Sequence, residues 1–169
     1  MPLQLEKLKI LIVDDIENFR SLLKGYLHAF NITNLYEAKE GSEALAFLQK
    51  SEVDLIFMDW HMQPMDGLQA TLKIREGATK ALPTIPIVMT SAHTDRNHIN
   101  AARNAGINEF LPKPINPTTV YAALRLIVEN PRPFIRTPTY FGPDRRRKKM
   151  DIKGEERRKF DPFKQKNIK

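Results

Sequence analysis

The stretch Val53-Asp54-Leu55-Ile56-Phe57-Met58-Asp59 constrains the fold of this chain more than any other. An apolar run rich in β-formers ends in a carboxylate. The loop Trp60-His61-Met62-Gln63-Pro64-Met65-Asp66-Gly67 then breaks it with proline and glycine. That pattern predicts a buried strand that carries Asp59 to the rim of a sheet. A single carboxylate in such a place is more often the solvated end of a strand than a reactive group. What else reaches the same rim decides between the two.

The arrangement recurs along the chain. Leu8 to Val13 is a short apolar run that ends at Asp14-Asp15, and Ile85 to Met89 finishes at Thr90-Ser91. Asn34 to Ala38 reads as a brief strand, and Ile107 to Leu111 as a last one, closed by Pro112-Lys113-Pro114. Between these runs the period changes. Phe19, Leu22, Leu23, Tyr26, Leu27 and Phe30 recur at helical spacing within residues 16–30. Further helices are predicted from Gly41, from Gly67 to Gly77, and from Thr94 to Asn104, where Ala105-Gly106 supplies a stop. The fifth begins at Asn116-Pro117, with Val120, Leu124, Ile127 and Val128 on one apolar face. Strands alternating with helices predict an α/β fold, a doubly wound parallel sheet with helices on both faces. Ligands of such sheets bind at the carboxyl ends of the strands. Asp14, Asp15, Asp59, Thr90 and Lys113 all fall there.

Three carboxylates on one rim raise one another's pKa unless a cation joins them. Magnesium suits hard oxygen donors and commonly partners a phosphate. One carboxylate can attack phosphorus, and the phosphoryl oxygens then need a hydroxyl donor and a fixed cation. Asp59, Thr90 and Lys113 fit the roles of nucleophile, donor and cation. Each of these residues alone reads as a strand end; together on one rim they read as a site.

With these residues the chain, over about residues 7–129, resembles the receiver domain of two-component response regulators. The marks are Ile12-Val13-Asp14-Asp15, the segment Met58 to Gly67, Thr90-Ser91-Ala92 and Leu111-Pro112-Lys113-Pro114. The resemblance, to the stand-alone CheY-like kind, implies a flavodoxin-like five-stranded sheet of order 2-1-3-4-5. It also implies that Asp59 takes a phosphoryl group from a sensor histidine kinase or a histidine phosphotransfer protein. Asp15, Asp59 and the backbone carbonyl of His61 would hold Mg2+, with Asp14 acting through water. Thr90 and Phe110 match the family's switch pair, in which the hydroxyl swings toward the phosphoryl oxygens as the ring turns inward. Phe110 lacks the phenol that family members with tyrosine carry. The Lys113–Pro114 bond is expected to be cis, and residues 94–129 to form the face that changes partner affinity. Such a protein is a phosphoacceptor switch rather than an enzyme with an output reaction.

Other chemistries are disfavoured. No glycine-rich nucleotide loop is present. Haloacid-dehalogenase-like phosphatases need a second Asp two positions after the nucleophile, where His61 stands. His28, His93 and His98 lack metal-ligand spacing and read as ordinary surface or packing residues. Trp60 reads as a partly exposed loop aromatic. Without cysteine, a secretory h-region or a membrane-length apolar run, the expected location is the cytoplasm and no membrane is spanned.

Charge divides the chain. Residues 1–130 carry 13 Lys+Arg against 15 Asp+Glu, a net of −2, whereas 131–169 carry 14 against 5, a net of +9. This separates a receiver domain, 1–130, from a basic, proline-containing tail, 131–169, expected to be irregular, largely extended or disordered. Phe134, Ile135, Tyr140 and Phe141 would let it pack as an extended arm on the body or a partner. Its two basic clusters, Arg145 to Lys149 and Arg157 to Lys159, would let it touch nucleic acid or an anionic surface. The tail is too short for a DNA-binding output domain. The sequence therefore reads as a single-domain response regulator. An intermediate carrier in a phosphorelay and a nucleic-acid-binding regulator are the alternatives.

Overall fold

A computed structural model of the chain describes residues 4–146 and 159–160. Five parallel strands, β1 (Lys9–Val13), β2 (Asn34–Ala38), β3 (Leu55–Asp59), β4 (Ile87–Ser91) and β5 (Glu109–Pro112), lie in the order β2-β1-β3-β4-β5. Five helices connect them: α1 (Glu17–Ala29), α2 (Gly41–Leu48), α3 (Gly67–Arg75), α4 (Arg96–Asn104) and α5 (Pro117–Glu129). This is the flavodoxin-like order expected from the sequence.

Successive strand residues face opposite ways, so a sheet covered on both faces needs apolar side chains at every position. β3 shows it: Ile56 and Met58 enter one core with Ala44, Leu48, Ala70 and Ile74 of α2 and α3, whereas Leu55 and Phe57 enter the other with Leu23, Leu27, Val120 and Leu124 of α1 and α5. Side-chain caps fix the helix starts. Asp66 and Gln69 form a capping box on α3, Asn116 and Thr119 one on α5 with Pro117 in its first turn, and Asp95 caps α4. Just past α4 and its C-cap Ala105, Gly106 turns the chain with a φ of +92° that suits glycine. The chain then enters β5.

Residues 131–146 fold back onto the opposite end of the sheet from Asp59. A hairpin of β6 (Phe134–Thr137) and β7 (Tyr140–Pro143) is extended by β8 (Lys159–Phe160), which pairs antiparallel with β6. Arg75 seats it. This guanidinium, 4% exposed, donates to the carbonyls of Gly106 (2.9 Å), Pro83 (2.7 Å) and Ile85 (2.8 Å) and to Asn108 Oδ1 (3.2 Å), and lies 4.9 Å from the centre of the Phe134 ring. Arg132 adds a bond to the carbonyl of Asn108 (2.8 Å) and an ion pair with Glu109, and the Asp144 N–H closes on the Pro133 carbonyl (2.8 Å). The segment holding Phe134, Ile135, Tyr140 and Phe141 thus packs on the body.

Candidate functional site

The rim forms where β1, β3, β4 and β5 end. Asp14, 1% exposed, is held on three sides. Its N–H donates to the Ala38 carbonyl (3.1 Å), its own carbonyl accepts from Arg20 Nη1 (2.7 Å), and its Oδ1 accepts from the Ile16 N–H (2.8 Å). Arg20 in turn ion-pairs with Glu37 of β2 (3.0 Å), so α1 and β2 both brace this turn.

Asp59 closes β3, 4% exposed and in register with Thr90 of β4, which is 1% exposed. The loop after Asp59 doubles back, with the Gly67 N–H donating to the Trp60 carbonyl (2.9 Å). A Cβ on Gly67 would overlap the Asp59 carbonyl, so only glycine lets α3 start this close to the strand end. From the far side, Lys113 is pinned by its N–H to the Ser91 carbonyl (2.8 Å) and precedes a cis proline. Its ammonium passes 4.0 Å from the Phe19 ring centre and lies 2.8 Å from Asp14 Oδ2 and 2.9 Å from Asp59 Oδ1. Asp15 is exposed, yet one oxygen each of Asp14, Asp15 and Asp59 all lie within 4.8 Å of one another.

Burial pushes the Asp59 carboxyl up from its ordinary 3.8 to about 6. The hydrogen bond from Lys113 opposes that rise, and the negative charges of Asp14 and Asp15 add to it. Burial alone would lower the Lys113 ammonium. Its bonds to Asp14 and Asp59 outweigh this and raise it, so it stays a fixed positive charge. The site therefore holds more negative charge than its lysine balances. Three mutually adjacent carboxylates are a hard-oxygen donor set that fits Mg2+ and no softer metal better. All five residues singled out on the strand ends, Asp14, Asp15, Asp59, Thr90 and Lys113, come to one rim.

Phe110 is half-buried on β5, next to Met89 in register and two strands from Asp59. Trp60 departs from the sequence expectation. At 9% exposure it belongs to the core cluster, because the doubled-back loop tucks its ring against α4, where it meets His98 edge-on with centres 5.0 Å apart. The histidines differ too. His61 follows β3, whereas His93 and His98 lie in the β4–α4 loop and the first turn of α4, yet the rings meet beside the rim, 4.5 Å apart for His61–His93 and 5.2 Å for His93–His98. Partial desolvation and the charges of His93 and His98 hold the His61 imidazole below its ordinary value. Nothing in their sequence spacing signals this grouping. The loops after β3 and β4 and the first turn of α4 bring them together.

The family model described as response regulator receiver domain matches residues 10–125. Among curated proteins, the chain is 35% identical over 124 residues to the chemotaxis protein CheY-3 of Vibrio cholerae, covering 73% of this chain and 94% of that one. Among solved structures, a two-component response regulator from Clostridium difficile superposes with a TM-score of 0.65 at 30% identity, over 73% of this chain and 98% of that one. The receiver domain of the Arabidopsis thaliana histidine kinase CKI1, complexed with Mg2+, gives 0.60 at 26% identity, over 71% and 91%.

Proposed function

The chain belongs to the response regulator receiver family, and from that premise we propose that Asp59 is its phosphoacceptor and that phosphorylation switches partner binding. A carboxylate oxygen of Asp59 attacks the phosphorus of a phosphohistidine on a sensor histidine kinase or histidine phosphotransfer protein. The O–P bond forms as the N–P bond breaks, and the electron pair of the broken bond stays on the nitrogen of the departing neutral imidazole. With its carboxyl at about 6, Asp59 is mostly ionised at neutral pH and ready to attack. Lys113 donates to a phosphoryl oxygen and Thr90 offers its hydroxyl to another. Asp15, Asp59 and the backbone carbonyl of His61 would hold Mg2+, with Asp14 acting through water. When bound, the ion would supply positive charge against the phosphoryl oxygens. The Mg2+ complex of the CKI1 receiver supports that choice of metal. The observation that carries the reading is the Lys113 ammonium set between Asp14 and Asp59, beside Thr90.

Output runs through Thr90 and Phe110 to the face of residues 94–129, where Tyr121 and Leu126 are exposed. The chain is a switch that catalyses only its own phosphoryl transfer and dephosphorylation. Its lack of cysteine suits a cytoplasmic site of action. Among the described residues no helix is long and apolar enough to cross a membrane. The nucleic-acid alternative draws on clusters that lie mostly outside the described residues. Within them, Arg146 pairs with Asp144 (2.6 Å).

Incubation with Mg2+ and a small phosphodonor such as phosphoramidate tests the assignment. The expected result is a phosphate-sized mass gain on the Asp59 peptide, with a change in Trp60 emission and no gain in Asp59→Asn. Uptake by Asp59→Asn at the wild-type rate would overturn it. Rapid loss of the phosphoryl group to an added histidine phosphotransfer protein would mark the chain as a relay carrier.

A further inference from the structure

The hairpin that follows α5 does more than cover the end of the sheet. Between it and the α4–β5–α5 face runs a cleft of about 850 Å³. Its walls bear the guanidiniums of Arg103, Arg132 and Arg145, against the single carboxylate of Glu109. Its apolar lining includes Phe110, half-buried, and Leu126, 49% exposed. The hairpin wall is built rather than draped. Arg145 lies 4.1 Å from the centre of the Tyr140 ring and donates to the Arg103 carbonyl (2.9 Å) and Asn104 Oδ1 (3.0 Å), while the Tyr140 hydroxyl donates to the Pro143 carbonyl (2.9 Å). Arg132 is held by the Asn108 carbonyl and Glu109. Arg103 is exposed on α4, its guanidinium without a hydrogen bond or ion pair among the described residues.

We infer that this cleft receives an acidic peptide segment of a partner protein, one that sets an aliphatic side chain on Leu126 and Phe110 between carboxylates directed at Arg103, Arg132 and Arg145. Charge complementarity carries the argument. Three planar donors that match carboxylate geometry flank an apolar strip, and only one acid is present to compete. A nucleic acid fits less well, because Glu109 and the exposed leucine interrupt any continuous track for phosphates. In this arrangement the residues after 130 select the partner, and the receiver supplies the switch. The inference rests on the proposed role of the 94–129 face but not on the chemistry at Asp59.

The test probes the full chain with an array of random linear peptides and then titrates the strongest binder, fluorescently labelled, by anisotropy. Binders enriched in Asp and Glu around an aliphatic residue are expected. Arg103→Glu and Leu126→Glu, both on exposed helix positions, should each weaken the labelled peptide by roughly tenfold or more while leaving phosphorylation of Asp59 by phosphoramidate unchanged. Peptides without acidic enrichment, affinity unmoved in both variants, or displacement of the peptide by a single-stranded oligonucleotide that binds more tightly would each overturn the inference. If peptide binding persists but Asp59 takes up no phosphate, the switch reading fails and the cleft stands. The converse removes the cleft alone.

Discussion

Two cations mark the two ends of the sheet, and they are held in opposite ways. At the carboxyl end, Lys113 sits between Asp14 and Asp59 and balances only part of the charge around it. At the amino end, Arg75 is buried without a carboxylate, ringed by three backbone carbonyls, an amide oxygen and the Phe134 ring. The difference separates a place that keeps repulsion in reserve from one that has none left. With four of its five N–H donors taken by oxygens and its surface buried, Arg75 has little to offer a ligand, although burial pushes its guanidinium below the ordinary value. The rim, with like charges crowded together, gains whenever a further cation or a reaction consumes one of them.

Breaking the satisfied end should have the largest effect. Arg75→Met keeps most of the stem but strips the donors from the carbonyls of Gly106, Pro83 and Ile85. Chemical denaturation should show a loss of about 3 kcal/mol or more. A loss below about 1 kcal/mol would mean that those carbonyls find other partners and that the two ends are less different than described.

The reactive end should respond with the opposite sign. A carboxyl raised from 3.8 to about 6 binds its proton more tightly in the folded state. Metal-free protein therefore loses stability as pH rises from about 4 to 6, by roughly 2–3 kcal/mol for this group. Asp59→Asn removes the ionisation. It should make the metal-free protein more stable than wild type at pH 7.5 by up to that amount, with the two converging below pH 4. Equal stability at both pH values would show that Lys113 already compensates the site in full.

The smallest effect is expected at the roof of the Arg75 site. Phe134→Leu keeps an apolar cover but loses the face-on contact with the guanidinium and the Phe141 ring, whose centre lies 5.5 Å away. A loss of about 1–2 kcal/mol is expected in the same denaturation assay.

How much of this was legible in the sequence follows from what each part depends on. β1, β3 and β4 are buried on both faces, so their unbroken apolar runs and polar tips could be read directly, and α5 carried its own cap in Asn116-Pro117. The rim followed, because strand ends bring Asp14, Asp59, Thr90 and Lys113 together once the topology is parallel. The seat of residues 134–143 was not readable as a hairpin. Pro138 and Pro143 break any alternating pattern, and what holds the segment is Arg75, a residue on α3 that looks like an ordinary basic position near a helix end. The ring cluster of His61, His93 and His98 was hidden for a similar reason. The loop after β3 sets His61 against His93 and His98 at the start of α4, and no spacing between the two segments encodes it.

The Phe134 ring over Arg75 has one more implication. It acts as a stopper on a polar socket, so the bonds beneath it stay dry only while residues 131–146 remain seated. A force or a partner that lifts the hairpin would admit water to a guanidinium shared by α3 and the turns leading into β4 and β5. A pull at the end of the chain would then register as loosening at the base of two central strands, far from where it was applied.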